Sequence, residues 1–249
     1  MVYSEIIGLN KMKTTLEIKH INKSFFGLKV LEDISFSLQS GTITSLFGDN
    51  GCGKSTLFNI ITGFLIPNRG EVIFNGHNIS GLSPADISQI GIGRVWQSPR
   101  ILKNLSLKDN MLIASKNHPG EKAINYLIRM SHIKKEEKIQ KEKAIDILTD
   151  LGLARKLQKT AGSLSLGEQK LLSIGMLLMN DSLLLMLDEP FAGVHVLMID
   201  HISDVLKDLT KKGKAIFLIE HNRKKASEIS DNSFLLIKGK ITIPEILNV

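Results

Sequence analysis

Gly48-Asp49-Asn50-Gly51-Cys52-Gly53-Lys54-Ser55-Thr56 combines the residue types needed to hold a polyphosphate. Glycines let a backbone curl closely enough for several N–H groups to converge on one anion. Lys54 adds a charge for the β- and γ-phosphates, and Ser55 a hydroxyl for Mg²⁺. A Gly-rich turn that happens to contain Lys-Ser would share this composition, so the flanking sequence has to decide. Thr42-Ile43-Thr44-Ser45-Leu46-Phe47 reads as a strand, and Leu57-Phe58-Asn59-Ile60-Ile61 as the start of a helix. Strand, glycine turn and helix N-terminus in that order form a phosphate-binding P-loop.

Further candidates lie at the ends of apolar runs. Leu183-Leu184-Leu185-Met186-Leu187 leads into Asp188-Glu189-Pro190. Near-continuous hydrophobics suit a strand buried on both faces, and chemistry gathers at the carboxyl end of such strands. Asp188 is placed to hold a Mg²⁺ shell and Glu189 to orient and deprotonate a water. Read alone, the two acids would serve equally well as caps for the next element. Ala215-Ile216-Phe217-Leu218-Ile219-Glu220-His221 repeats the design with a histidine at the strand end. A lone histidine there is more often structural, but beside a γ-phosphate its N–H would donate to phosphate or water. Gln97, after the run ending at Trp96, offers an amide for Mg²⁺ and water, as any strand-end glutamine would.

Short strands and turns alternate from residue 14 to about 97, with turn signals at Pro67-Asn68-Arg69-Gly70 and Asn75-Gly76. Helical periodicity dominates from about 101 to 162. There Ala144, Ile145, Ile147, Leu148 and Leu151 are expected on one face, with Gly152 ending the helix. Strands and helices alternate again from Leu183, as a parallel sheet demands. The expected organisation is one α/β domain over 14–249, its core (14–99 and 163–249) interrupted by a helical subdomain (100–162). Residues 1–13 fit poorly and are set apart as an extension, a tag remnant or the product of an early start codon.

Of 249 residues, 43% are hydrophobic and 23% charged, which argues against disorder. No apolar run approaches the roughly 18 residues that span a bilayer, and the N-terminus has no secretory h-region. The single cysteine, Cys52, excludes an internal disulfide and is compatible with a reducing cytosol. A net charge of +7 suits nucleic acid, anionic lipid or acidic nucleotides without choosing among them. Lys134, Lys135, Lys138, Lys141 and Lys143 are interleaved with Glu136, Glu137 and Glu142, which favours a solvated helix face over a binding patch. With two tyrosines and one tryptophan, the stacking platform of a nucleic-acid binder is missing.

Leu164-Ser165-Leu166-Gly167-Glu168-Gln169, followed by an apolar-rich helix from Lys170 to Met179, resembles the ABC signature motif. With it the chain from about residue 14 resembles an ATP-binding cassette ATPase subunit. P-loop, Gln97, signature, Asp188-Glu189 and His221 stand in the family's order. The resemblance implies an α/β P-loop NTPase (RecA-like) core with a mixed sheet, an antiparallel β-subdomain and an inserted α-helical subdomain. It also implies ATP and Mg²⁺ as ligands. On this basis Phe25 would stack on adenine, and Gly48 to Thr56 would be the Walker A loop. Ser55, Asp188 and Gln97 would serve Mg²⁺, while Glu189, His221 and Gln97 would serve hydrolysis. Ser165, Gly167 and Glu168 belong to the signature, of which Ser165 and Gly167 would close over the γ-phosphate held by an opposite subunit.

Two positions depart from the family pattern. Leu166 stands where a glycine is usual, and His195 in Phe191-Ala192-Gly193-Val194-His195 stands where an interface Asp is common. Within the family the chain is similar to the ATPases of branched-chain amino acid importers and their urea or amide relatives. Ile92-Gly93-Arg94-Val95-Trp96-Gln97, the helical insertion around 115–143, bulky Leu166 and Ile174-Gly175-Met176-Leu177-Leu178-Met179 carry that likeness. Phe191-Ala192-Gly193-Val194 is also similar to the ATPase of lipopolysaccharide export, and a scaffold ATPase without a transport role is a further alternative. The implied partners are integral-membrane permease subunits, a second ATPase (paralogue or self) in a head-to-tail dimer and, indirectly, a periplasmic or surface solute-binding protein. The implied location is peripheral, on the cytoplasmic face of the membrane, with no nucleic acid bound.

Overall fold

Two sheets carry the chain, and the computed structural model describes them over residues 14–116, 130–221 and 223–242. The expected extension at 1–13 and residues 117–129 of the helical insertion lie outside the described residues. The first sheet is antiparallel, in the order β2-β1-β4-β5, from β1 (Thr14–Phe25), β2 (Leu28–Gln39), β4 (Arg69–Phe74) and β5 (His77–Asn78). The second has the order β10-β9-β3-β8-β7-β6. It contains β3 (Ile43–Phe47), β6 (Ile92–Val95), β7 (Leu184–Asp188), β8 (Ala215–Ile219), β9 (Asn232–Ile237) and β10 (Lys240–Thr242). All its pairings are parallel except β9 with β10, so the sheet is mixed, as the resemblance implies.

The apolar runs become strands because both of their faces are covered. Leu184, Met186, Phe217 and Ile219 join Leu46 and Phe58 in a core shared with the antiparallel sheet. Their strand neighbours Leu185, Leu187, Ile216 and Leu218 point the other way, into a core built largely from helices. Leu183 falls before β7 and is exposed, so the apolar run is longer than the strand. Trp96 similarly falls just beyond β6.

Helices α1 (Lys54–Ile61) and α2 (Pro84–Ile90) precede β6; α3 (Leu107–Ile113), α4 (Met130–Asp150) and α5 (Leu166–Met179) follow it. Helices α6 (Val196–Lys211) and α7 (Arg223–Ile229) flank β8. On α4, Ala144, Leu148 and Leu151 are buried and Ile147 packs beside them. Ile145 does not join them: it is exposed, because one residue turns the helix by about 100° away from that face. Gly152, at φ +72°, ends the helix as expected, and the Leu153 N–H returns to the Leu148 carbonyl at 2.7 Å. The insertion's charges form i,i+4 pairs, Lys138 with Glu142 and Lys141 with Glu137, as a solvated face does.

Candidate functional site: the carboxyl ends of four adjacent strands

Strands β3, β8, β7 and β6 are consecutive neighbours, and each delivers its candidate residues at its carboxyl end. The glycine loop follows β3, Glu220-His221 follows β8, Asp188-Glu189 ends β7, and Trp96-Gln97 follows β6. Helix α1 begins at Lys54 rather than at Leu57, because Gly53 takes the N-cap at φ +112° and its carbonyl accepts the Leu57 N–H at 2.9 Å. A side chain at Gly53 would also meet Leu31 at 2.9 Å, and one at Gly48 the Leu236 carbonyl at 2.4 Å. Lys54 is buried, and its amine donates to the carbonyls of Gly48 (2.7 Å) and Asp49 (2.9 Å), with Cys52 Sγ at 4.0 Å.

A cavity of about 160 Å³ opens here, lined by Asn50, Gly51, Gly53, Lys54, Ser55, Thr56, Asp188, Glu189, Ile219 and His221. A second, of about 230 Å³, touches Gly48, Asp49, Asn50, Glu220 and His221. Of the sequence-expected groups, P-loop residues, Asp188, Glu189 and His221 therefore meet across three loops. Among the described residues no three His, Cys, Asp or Glu side chains cluster as a metal cage. What the cavity offers is the Ser55 hydroxyl and the Asp188 carboxylate, hard oxygen donors of the kind Mg²⁺ takes alongside substrate phosphates and waters.

Both carboxylate oxygens of Glu189 are engaged. Gln97 Nε2 donates to one at 2.7 Å, and His221 Nε2 lies 2.8 Å from the other. An ionised carboxylate only accepts, so against it His221 presents its Nε2–H. Gln97 is thus bonded to Glu189 and is not part of the cavity lining.

Asp188 pairs with a residue whose role was not read from the sequence. Arg94 Nη2 donates to Asp188 Oδ2 at 2.9 Å and Nη1 to Asn59 Oδ1 of α1 at 2.7 Å. The two charged side chains are only 5% and 13% exposed. Burial lowers the Arg94 pKa from its ordinary value, against the hydrogen bond and charge of Asp188, while Arg100 lowers it further. The guanidinium still stays charged. Its carbon lies 3.9 Å from the centroid of Trp96, with that of Arg100 also at 3.9 Å. The available signal was a charge inside the apolar run from Ile92 to Trp96, which needs a buried partner.

Phe25 ends β1, paired with Leu28, and Phe26 lies in the β1–β2 turn; Phe26 is fully exposed, and Lys23 lies 5.1 Å from the Phe25 ring. Helix α5 starts at Leu166, earlier than the expected Lys170, because Ser165 is its N-cap. Ser165 Oγ accepts the Glu168 N–H, and a Glu168 carboxylate oxygen accepts the Ser165 N–H at 3.1 Å, a capping box. Lys156 takes the other Glu168 oxygen. Despite desolvation, the Lys156 and Ser165 bonds hold the Glu168 pKa below its ordinary value. Gly167 is buried, and a Cβ there would meet Met198 Cγ of α6 at 2.3 Å. Leu166 lies over Gly193, and His195 occupies the N-cap of α6 without a side-chain cap bond. Ser165, Gly167 and Glu168 line neither cavity of the P-loop in their own chain.

A P-loop, a strand-end acid pair and a separate capped signature helix on a two-sheet scaffold define an ATP-binding cassette. The ABC transporter family model matches residues 31–192. The chain is 37% identical to a probable branched-chain amino acid transport ATP-binding protein, LivG, of Methanocaldococcus jannaschii, covering 92% of this chain and 90% of that one. It is 29% identical to the high-affinity branched-chain amino acid transport ATP-binding protein BraF of Pseudomonas aeruginosa, over 90% and 88%. It is also 33% identical to the ribose import ATP-binding protein RbsA of Oceanobacillus iheyensis, over 92% of this chain but 43% of that one. A solved ATP-binding cassette of an ABC transporter in its ADP conformation superposes with a TM-score of 0.80 at 36% identity, covering 92% and 90%. The chain belongs to the ABC transporter family, as an ATP-hydrolysing, nucleotide-binding cassette. Among the described residues no helix is long and apolar enough to cross a membrane.

Proposed function

We propose that this chain is the ATPase subunit of an importer for branched-chain amino acids or a related small polar solute. The observation that carries the reading is the convergence of Lys54, Ser55, Asp188, Glu189 and His221 on one cavity, in a chain similar over most of its length to LivG and BraF. The likeness to a ribose import protein leaves a sugar as the second reading for the solute.

In this reading the P-loop N–H groups and the N-terminus of α1 receive the phosphates, and the Lys54 amine exchanges two carbonyls for phosphate oxygens. Phe25 stacks on adenine. Ser55 and Asp188 would hold Mg²⁺, which would offset phosphate charge; Gln97 would join them only by exchanging its bond to Glu189. Glu189 takes the proton of a water attacking the γ-phosphorus as the bond to the β-phosphate oxygen breaks, yielding ADP and phosphate. Each Glu189 oxygen accepts one hydrogen bond and keeps a second lone pair to receive the water's proton. His221 has the γ-phosphate as its alternative acceptor. Ser165 and Gly167 act on nucleotide held by a second cassette, self or paralogue, in a head-to-tail dimer. The pair docks on permease subunits at the cytoplasmic face of the membrane, with a solute-binding protein acting indirectly and no nucleic acid involved.

Light scattering on Glu189→Gln with and without ATP·Mg²⁺, alone and with a candidate paralogue, tests the dimer. ATP should shift monomer to dimer by mass action. A monomer in every mixture at high concentration would remove the cross-subunit role of Ser165. Co-purified permeases and solute-stimulated ATPase assays identify the solute; stimulation by ribose but not by leucine would favour the second reading.

A further inference from the structure

A pair of buried charges lies behind Glu189 that neither phosphate binding nor proton transfer uses. Lys170, in the second turn of α5, is 1% exposed. Its amine donates to the backbone carbonyl of Glu189 at 2.6 Å and to that of Ala192 at 2.9 Å. Glu220, beside His221, is 3% exposed, and its Oε1 accepts the backbone N–H of Phe191 at 2.8 Å. Burial depresses the lysine pKa against the pull of Glu220, Glu189 and Asp188. Burial raises that of Glu220, against the N–H groups of Phe191 and His221 and the charge of Lys170.

The segment held this way is not relaxed backbone. Glu189 sits at φ +49°, in the left-handed region that non-glycine residues seldom adopt. Such a conformation persists only where its surroundings over-determine it. The Glu189 N–H reaches the Ile219 carbonyl at 3.0 Å, and the Ala192 N–H returns to the Glu189 carbonyl at 3.2 Å. The ammonium has three N–H donors and serves both carbonyls at once.

We propose that Lys170 and Glu220 are positioning residues for hydrolysis. From two sides, α5 and the end of β8, they fix the backbone of residues 189–192 so that the Glu189 carboxylate stands between Gln97 and His221. The inference rests on the reading of Glu189 as the base. The same amine ties the helix that carries Ser165 to the loop that carries the base.

The test uses the full chain with Lys170→Met, Lys170→Arg, Glu220→Gln, the double variant Lys170→Met/Glu220→Gln, and Glu189→Gln. Turnover, ATP·Mg²⁺ affinity by calorimetry, Tm and amide exchange over 189–194 are measured for each. Lys170→Met should lower kcat about 10–100-fold, the scale of a sub-ångström to ångström misplacement, with affinity within about threefold. Exchange at Phe191 and Ala192 should quicken. Lys170→Arg should recover part of kcat. The double variant removes both buried charges, so it should recover Tm relative to Lys170→Met while kcat stays low. Recovery of kcat together with Tm would reduce the pair to a structural role and overturn the proposal. Should Lys170→Met not fold, Glu220→Gln and the double variant decide: wild-type kcat in both overturns it. Wild-type turnover in Glu189→Gln would instead sink the base assignment itself, which separates the two failures.

Discussion

Replacing Arg94 by methionine should destabilise the fold by about 3–5 kcal/mol, the scale for removing one partner of a buried pair. Asp188, at 13% side-chain exposure, would lose the donor now 2.9 Å away, and Asn59 Oδ1 would lose its own. Methionine is long enough to keep apolar contact with Trp96 and Phe58, so the loss is mainly electrostatic, with about 0.5–1 kcal/mol or more from each cation–π contact. In a domain of this size each kcal/mol moves Tm by about 2–4 °C, giving a fall of about 6–20 °C in scanning calorimetry. Because the pair is buried, the deficit should persist in high salt. Asp188→Asn in the same background closes a double-mutant cycle, and the double should cost less than the sum by about 0.5–3 kcal/mol. A Tm within about 2 °C of wild type, or strict additivity, would refute the argument that this pair bears stability.

Glu189→Gln should leave ATP affinity nearly intact and lower turnover about 10²–10⁴-fold, and wild-type hydrolysis would remove it as the base. Lys54→Ala should weaken nucleotide binding itself, through the loss of a charge-assisted phosphate contact; calorimetry showing unchanged affinity would count against the P-loop role. The Glu168 pKa is depressed from 4.5 in the folded chain, so its contribution to stability is present above that value and is lost as pH falls through the folded pKa. The Tm gap between wild type and Glu168→Gln should therefore narrow below about pH 4.5, and a gap that widens in acid would reverse the sign of the argument. Stacking on Phe25 reads no base edge, so ATP and GTP should bind within about an order of magnitude of each other; a strong ATP preference would require a polar group elsewhere.

The parallel strands were legible because burial on both faces leaves an uninterrupted apolar record, and each run ended on its chemical residue: Asp188, His221, Gln97. The P-loop was legible because its glycines serve local backbone geometry. The helices start earlier than expected, at Lys54 and Leu166, because Gly53 and Ser165 serve as their N-caps. Ile145 was misplaced because five apolar residues span more of α4 than its buried face. Arg94 lies inside an apolar run, Lys170 at the start of one and Glu220 at the end of another, and the partner of each lies far away in sequence. Asp188 is 94 positions from Arg94, and the Phe191 N–H is 29 from Glu220. Spacing along the chain carries no trace of contacts that only the sheet order creates.

Trp96 is the single tryptophan of the chain. Its indole has the guanidinium carbons of Arg94 and Arg100 each 3.9 Å from its ring centroid, with the edge of Phe64 at 5.3 Å between centroids. Tryptophan emission from this protein therefore has one address, one residue from Gln97 and one side chain from Asp188. Any rearrangement that moves either guanidinium changes the charge and polarity felt by that indole. The molecule thus carries an unlabelled optical reporter in the segment joining the acid pair to Gln97, so its motion can be followed in real time by stopped-flow fluorescence.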